Sequence, residues 1–270
     1  MKKFLYIILT CTLLSSCSEY QKALKSVDTA TKYNVGEKLY NAGKYAKANK
    51  LFEQILPAYR GKPQAEKVSY LNAKSYYEEK DWYLASHKFE RFMDAYPNSE
   101  KLEEAAFLSA KSAYMLSPVF SKEQHETKHA IEKLQLFINL FPESEFLQEA
   151  NGLVKELDLK LETKAFSIAK QFNTIAGFTR DFHAPMKAMD NFIIDFPGTV
   201  YREEALYIKF DSAFQLAVNS VYHKKEERLK DAKLYYNNFK KSSSNPIFIE
   251  KADKMNEVID EELENYSTKS

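Results

Sequence analysis

The chain has 270 residues, with 39 Lys and Arg against 38 Asp and Glu, a formal charge of +1 and 29% charged residues. So even a balance argues against a general nucleic-acid binder and reads as the surface of a helical protein. Six glycines, an abundance of helix formers and no sustained apolar–polar alternation predict an all-α fold.

Lys2 and Lys3 precede an almost wholly apolar run from Phe4 to Leu14, and then comes Leu14-Ser15-Ser16-Cys17. The run is too short to span a bilayer as a stable helix and reads as a secretory signal. The small residues before Cys17 resemble the bacterial lipobox. That resemblance implies cleavage before Cys17 and lipid on its thiol and amine. Residues 1–16 are then expected as a lipoprotein signal peptide and 17–28 as a lipid-anchored linker. Loss of Lys2 and Lys3 takes the mature charge to about −1. Cys11 leaves with the signal and Cys17 is lipidated, so no disulfide and no cysteine-based metal site is expected. No second apolar stretch long enough to span follows, which makes lipid the expected anchor.

From residue 29 the chain repeats itself. Tyr70-Leu71-Asn72-Ala73-Lys74-Ser75-Tyr76-Tyr77 returns 37 residues later as Phe107-Leu108-Ser109-Ala110-Lys111-Ser112-Ala113-Tyr114, and more weakly from Tyr207 to Phe214. A second pattern places a small residue before two apolar ones at i, i+4 and i+7, on one helix face. Its copies begin at Ala48, Ala85, Ala130 and Ala232, with Pro185-Met189-Phe192 as a variant. Aromatic-Pro-x-Ser/Thr ends three copies, at Tyr96-Pro97-Asn98-Ser99, Phe141-Pro142-Glu143-Ser144 and Phe196-Pro197-Gly198-Thr199. There proline stops one helix and the hydroxyl is placed to cap the next.

Gly36, Leu39, Gly43, Tyr45, Ala48 and Phe52 together resemble a tetratricopeptide (TPR) repeat. Residues 29–270 are therefore expected to form a TPR-like α-solenoid, a superhelix of about five helix pairs with a C-terminal capping helix. Units start near residues 29, 66, 101, 145 and 200. The fourth begins with one long helix from Leu147 to Phe172, and the cap runs from about Ile247 to Glu264.

Function in such an array belongs to the first helix of each pair. That face is expected to include Tyr33, Glu37, Tyr40, Tyr70, Lys74, Tyr77, Phe107, Lys111 and Tyr114. Tyr33, Tyr40, Tyr70, Lys74, Tyr77, Lys111 and Tyr114 form the candidate peptide-binding set, a groove suited to an extended peptide with aromatics and a carboxylate. The carboxylate-clamp subtype is excluded, because its basic and amide positions fall on Tyr33, Glu37, Leu71, Glu104 and Leu108.

His125-Glu126-Thr127-Lys128-His129 matches the zinc-peptidase string H-E-x-x-H. Its polar filler and the absence of a nearby third ligand favour a partly solvated helix start. With no nucleophile elbow, phosphate loop or dinucleotide fingerprint, the expectation is no catalytic residue, metal or cofactor. Glu103-Glu104 and Glu203-Glu204 follow helix starts, where the macrodipole favours carboxylates. Lys224-Lys225 and Lys240-Lys241 read either as solvated faces or as the border of a partner site.

The lipobox, the short link, five TPR-like units and the cap together resemble the BamD family of outer-membrane assembly lipoproteins, over essentially all of 17–270. The resemblance implies a non-enzymatic outer-membrane lipoprotein of the β-barrel assembly machinery, facing the periplasm. Its partners would be a BamA-like barrel subunit and unfolded β-barrel outer-membrane proteins, with lipid as the membrane contact and no nucleic acid. The first repeats would take the C-terminal signal of clients, and residues 200–250 would be the BamA end. Two rivals remain open: a periplasmic TPR adaptor of the Tol–Pal system, and a peptide- or glycan-binding surface lipoprotein.

Overall fold

The computed structural model describes residues 19–267. All regular structure in this span is helical. In chain order it comprises α1 (19–25), α2 (Thr29–Asn41), α3 (Tyr45–Tyr59), α4 (Ala65–Glu78), α5 (Trp82–Ala95), α6 (Leu102–Leu116), α7 (His125–Leu140), α8 (Leu147–Thr179), α9 (His183–Asp195), α10 (Arg202–Val218), α11 (Tyr222–Ser242) and α12 (Pro246–Ser267). Helices α2/α3, α4/α5, α6/α7, α8/α9 and α10/α11 are the five expected pairs, and α12 is the cap. The fold is all-α and TPR-like. The chain divides into two compact units between Asp158 and Leu159. The expected signal peptide and Cys17 lie outside the described residues. Within the segment expected as a linker, residues 19–25 form helix α1, whose Tyr20 and Ala23 are buried in one cluster with Val35, Leu39 and Phe52.

The first two pairs turn by one mechanism. Gly43 (φ 70°) ends α2 and Lys80 (φ 61°) ends α4, each in the left-handed region. In both turns the next N–H reaches back five residues, Lys44 to the Leu39 carbonyl at 2.8 Å and Asp81 to the Tyr76 carbonyl at 3.0 Å. This is the Schellman closure, which satisfies carbonyls that the helix end leaves without partners. Asp81 then caps α5 by accepting from the Leu84 N–H at 3.2 Å. Glycine adopts this conformation freely, whereas a lysine there is strained.

The small-residue pattern forms the core. Ala48, Phe52, Ile55, Ala85, Phe89, Phe92, Ala130, Leu134, Ala232 and Phe239 are fully buried, and Phe137 nearly so. Gly36 shows why small residues are needed, since a Cβ added there would lie 2.8 Å from the Phe52 ring.

The aromatic-Pro-x-Ser/Thr turns do not cap the next helix as expected. Lys101 and Tyr201, the N-cap residues of α6 and α10, receive no side-chain cap. Each hydroxyl sits two residues ahead of the N-cap or its counterpart, and accepts the N–H of Lys101, Phe146 or Tyr201 at 3.0, 3.1 and 3.0 Å. It then donates its own proton to a glutamate on the first helix of its pair. Ser99 donates to Glu66, Ser144 to Glu103 and Thr199 to Glu162, each at 2.5 Å. Ser243, which has no proline motif, donates to Glu203 at 2.5 Å. Glu162 also accepts the Val200 N–H, and Glu203 accepts those of Ser244 and Asn245.

Four residues beyond each of these glutamates stands an aromatic ring that meets the last aromatic of the second helix. Tyr70 meets Phe92 at 5.6 Å, Phe107 meets Phe137 at 5.4 Å, Phe166 meets Phe192 at 5.2 Å and Tyr207 meets Phe239 at 5.8 Å. The residue after two of the turns closes the stack, Phe146 on Phe107 at 4.6 Å and Tyr201 on Phe166 at 4.5 Å. Offset and edge-on ring packing of this kind adds stability beyond area burial.

Helix α8 continues past the expected end at Phe172 to Thr179, where Arg180 (φ 62°) turns the chain. It contains two first-helix starts. Leu147-Gln148-Glu149 aligns with Leu102-Glu103-Glu104, and Leu161-Glu162 holds the clasp on the turn after α9. The first half packs in the first unit, burying Ala150 and Leu157, and the second half packs with α9 and α10 through Phe166 and Ala169. Gly152 in its interior meets no close neighbour, so it weakens the helix slightly without breaking it.

Three outcomes follow for stability. Lys80→Gly should raise unfolding free energy by about 1 kcal/mol in urea denaturation, by relieving the left-handed strain. Ser144→Ala and Glu103→Ala should each cost about 1–2 kcal/mol, and the double variant should cost less than their sum. Glu203 is held below the ordinary glutamate range, first by the Ser243 hydroxyl and then by the Asn245 and Ser244 amides. Its stabilisation is therefore present above the unfolded value of about 4.3 and lost as pH falls through the lower folded value. Glu203→Gln should flatten that acid limb in a pH series of thermal melts.

Candidate functional site

Residues predicted from repeat spacing to share a face all lie in the first unit. Tyr33 and Tyr40 are on α2, Tyr70, Lys74 and Tyr77 on α4, and Lys111 and Tyr114 on α6. All seven are half-buried. Phe107, expected on the same face, is only 2% exposed and belongs to the aromatic stack, a correction that follows from its contact with Phe137 and Phe146.

The first helices are joined by charge as well as by rings. Lys74 on α4 pairs with Glu104 on α6 at 3.3 Å, and Lys111 on α6 pairs with Glu149 on α8 at 2.7 Å. In the second unit Lys170 on α8 pairs with Glu204 on α10 at 2.5 Å. Each lysine stands eight residues after a clasp glutamate, and Glu104 and Glu204 are the residues immediately after one. The acidic pairs Glu103-Glu104 and Glu203-Glu204 therefore divide their work. The first member holds the following turn and the second holds the preceding first helix.

Tyrosines interleave with these pairs. Tyr33 stacks on Tyr59 at 6.1 Å and donates to Glu37, which pairs with Lys67 at 2.5 Å. Tyr40 sits edge-on to Tyr45 at 5.3 Å, and burial pushes its hydroxyl up to about 12, reinforced by the Glu78 carboxylate. Burial also pushes the Tyr70 hydroxyl up strongly, and its hydrogen bond to Glu104 adds to the shift. Lys101 lies 5.6 Å over the Tyr70 ring and Lys74 lies 5.4 Å over the Tyr77 ring. Tyr77 is edge-on to Trp82 at 5.3 Å, and Tyr114 donates to Glu156 at 2.6 Å. Burial alone would raise Glu104, but hydrogen bonds from Tyr70 and Lys101 and the charge of Lys74 hold it below its ordinary value. For Lys111, burial opposes the charged form, and Glu149 outweighs it and raises the pKa.

The outcome is a face of tyrosines whose lysines are already matched by carboxylates. Sequence reasoning named the tyrosines and lysines but did not single out Glu78, Glu149 and Glu156, and it read Glu104 as a helix-start carboxylate without its Lys74 partner. The pairs Lys74–Glu104 and Lys111–Glu149 have different sequence separations, so no fixed spacing announced them. Its rings offer contact surface to other aromatics, and the Tyr33 and Tyr114 hydroxyls are already held by Glu37 and Glu156. An anionic ligand gains a lysine only by exchange with a glutamate.

Other sequence candidates fall elsewhere. His125, Glu126 and His129 are exposed on the first turns of α7, while Thr127 between them is buried and bonds to Gln124 and Ser117. Among the described residues no group of three His, Cys, Asp or Glu is placed to hold a metal. Lys225 pairs with Glu262 at 2.7 Å and Lys240 with Asp253 at 2.6 Å, so one lysine of each C-terminal pair fastens the cap α12 to α11.

No helix among the described residues is long and apolar enough to cross a membrane. A search of curated proteins returns no match. A family model described as an outer membrane lipoprotein, YfiO, matches residues 25–229, which takes in α2 through α10 and the start of α11. The chain belongs to the YfiO outer membrane lipoprotein family.

Proposed function

We propose that the protein is a non-catalytic, lipid-anchored component of the β-barrel assembly complex. In this reading it is a scaffold for a BamA-like barrel subunit and a receptor for unfolded outer-membrane proteins, aiding their insertion. The observation that carries the reading is the family match across 25–229. Lipid on Cys17 would tether the chain to the outer membrane, with the helix pairs on the periplasmic side.

The face of Tyr33, Tyr40, Tyr70, Lys74, Tyr77, Lys111 and Tyr114 supports the receptor role. Aromatic side chains of a client's C-terminal segment would insert between its tyrosines. The terminal carboxylate would take Lys74 from Glu104, or Lys111 from Glu149. Residues 200–250, in α10, α11 and the start of α12, would form the scaffold end. No reacting group enters this mechanism, because capture and release are exchanges of hydrogen bonds and ring contacts.

Crosslinked pull-down from membranes tests the assignment. Recovery of a BamA-like barrel supports it, while recovery of Tol–Pal components in its place would refute it. For the receptor face, Lys74→Ala combined with Lys111→Ala should weaken binding of a barrel C-terminal peptide by about tenfold in a titration, since each lysine contributes a charge-assisted bond. Unchanged affinity would remove these lysines from the site.

A further inference from the structure

In the first unit, α3, α4 and α5 enclose a cleft of about 460 Å³. Its lining carries three cations, Arg60 just after α3 and Lys88 and Arg91 one turn apart on α5. Its single carboxylate is Glu53, which pairs with Lys88 at 3.2 Å and accepts from the Tyr76 hydroxyl at 2.5 Å. Arg60 and Arg91 are exposed and have no ion pair or hydrogen bond among the described residues. The contrast with the tyrosine face, where Lys74 and Lys111 are matched, is direct. Here two guanidinium groups converge on one cavity and remain unmatched.

The rest of the cleft is part polar and part apolar. Ser69 and the buried Asn72, which donates to Asn49, supply the polar floor. Leu56, Pro57, Ala95 and Tyr96 supply an apolar wall. The volume far exceeds a single phosphate or carboxylate and suits a few residues of chain. A lipid headgroup would need an exposed apolar track beside the arginines for its acyl chains. Between Val27 and Met115, however, the one exposed large apolar residue is Tyr83. Arginine is the side chain best fitted to carboxylates, by its planar fork of donors.

We infer that this cleft docks an acidic peptide segment of a protein partner, with Arg60 and Arg91 gripping carboxylates and an aliphatic side chain lying on the Leu56–Pro57 wall. This site is separate from the tyrosine face and does not depend on the function proposed for it.

The test uses the full-length protein and a fluorescein-labelled, C-terminally amidated peptide of sequence Glu-Leu-Asp-Leu-Glu, read by fluorescence anisotropy. Saturable binding should weaken with rising salt and fall at least about tenfold in Arg60→Ala/Arg91→Ala. Arg60→Lys/Arg91→Lys should be intermediate, and Lys74→Ala/Lys111→Ala should bind as wild type. Unaltered thermal melts confirm that the arginine variants fold. The inference is overturned by absence of saturable binding, by equal binding of the neutral peptide Gln-Leu-Asn-Leu-Gln, or by unchanged affinity in the alanine variant. Arginine-dependent sedimentation with phosphatidylglycerol vesicles in place of peptide binding would overturn it in favour of a lipid surface.

Discussion

A glutamate near the start of a first helix accepts a hydroxyl hydrogen bond from the turn that ends its partner helix, and this contact occurs four times among the described residues. Glu66, Glu103, Glu162 and Glu203 hold Ser99, Ser144, Thr199 and Ser243. A helix pair has no sheet ladder to fix its register, so something must tie the end of the second helix to the start of the first. The clasp does so with a charge-assisted bond, and the aromatic four residues on then meets the last ring of the second helix. Where the turn lacks proline, after α11, Glu203 gathers two backbone amides as well as the hydroxyl.

The residue after the clasp extends the order from within a pair to between pairs. Glu104 and Glu204 reach the lysine of the preceding first helix, and Glu149 does the same from the first start within α8. Ion pairs of this exposure contribute little stability singly. Their consequence is chemical, because they occupy the lysine charges, just as Glu37, Glu104 and Glu156 hold the hydroxyls of Tyr33, Tyr70 and Tyr114. The cleft between α3, α4 and α5 reverses this, with arginines open and one carboxylate, Glu53, in its lining. One unit thus carries two faces of different character.

Most of the fold was legible because it is written in local pattern. Proline after an aromatic marks where helices stop, and Ala48-Phe52-Ile55 or Ala85-Phe89-Phe92 marks which face is buried. Both signals lie within one helix turn or two. The clasps join residues 33, 41, 37 and 40 apart, at spacings that vary with turn length, and so escape any local reading. Glutamate followed four residues later by an aromatic, as in Glu66 and Tyr70 or Glu162 and Phe166, was the sequence trace they left. The hydroxyls of Ser99 and Ser144 suggested helix caps because capping is their common use, whereas here the N-cap lies two residues on. Helix α8 was underestimated because it contains two unit starts with no stop between them. For the tyrosine face, spacing placed the candidates on first helices, but the ion pairs of Lys74 and Lys111 depend on glutamates from the neighbouring helix.

The most direct test of the clasp is amide hydrogen exchange, resolved by residue, in Glu203→Ala. Ser244 and Asn245 have their N–H groups on the Glu203 carboxylate in a loop outside any helix. If the clasp holds the turn, both amides are protected in the wild type and lose that protection in the variant, while the interiors of α10 and α11 keep theirs. Protection of Ser244 and Asn245 that survives removal of the carboxylate would contradict it.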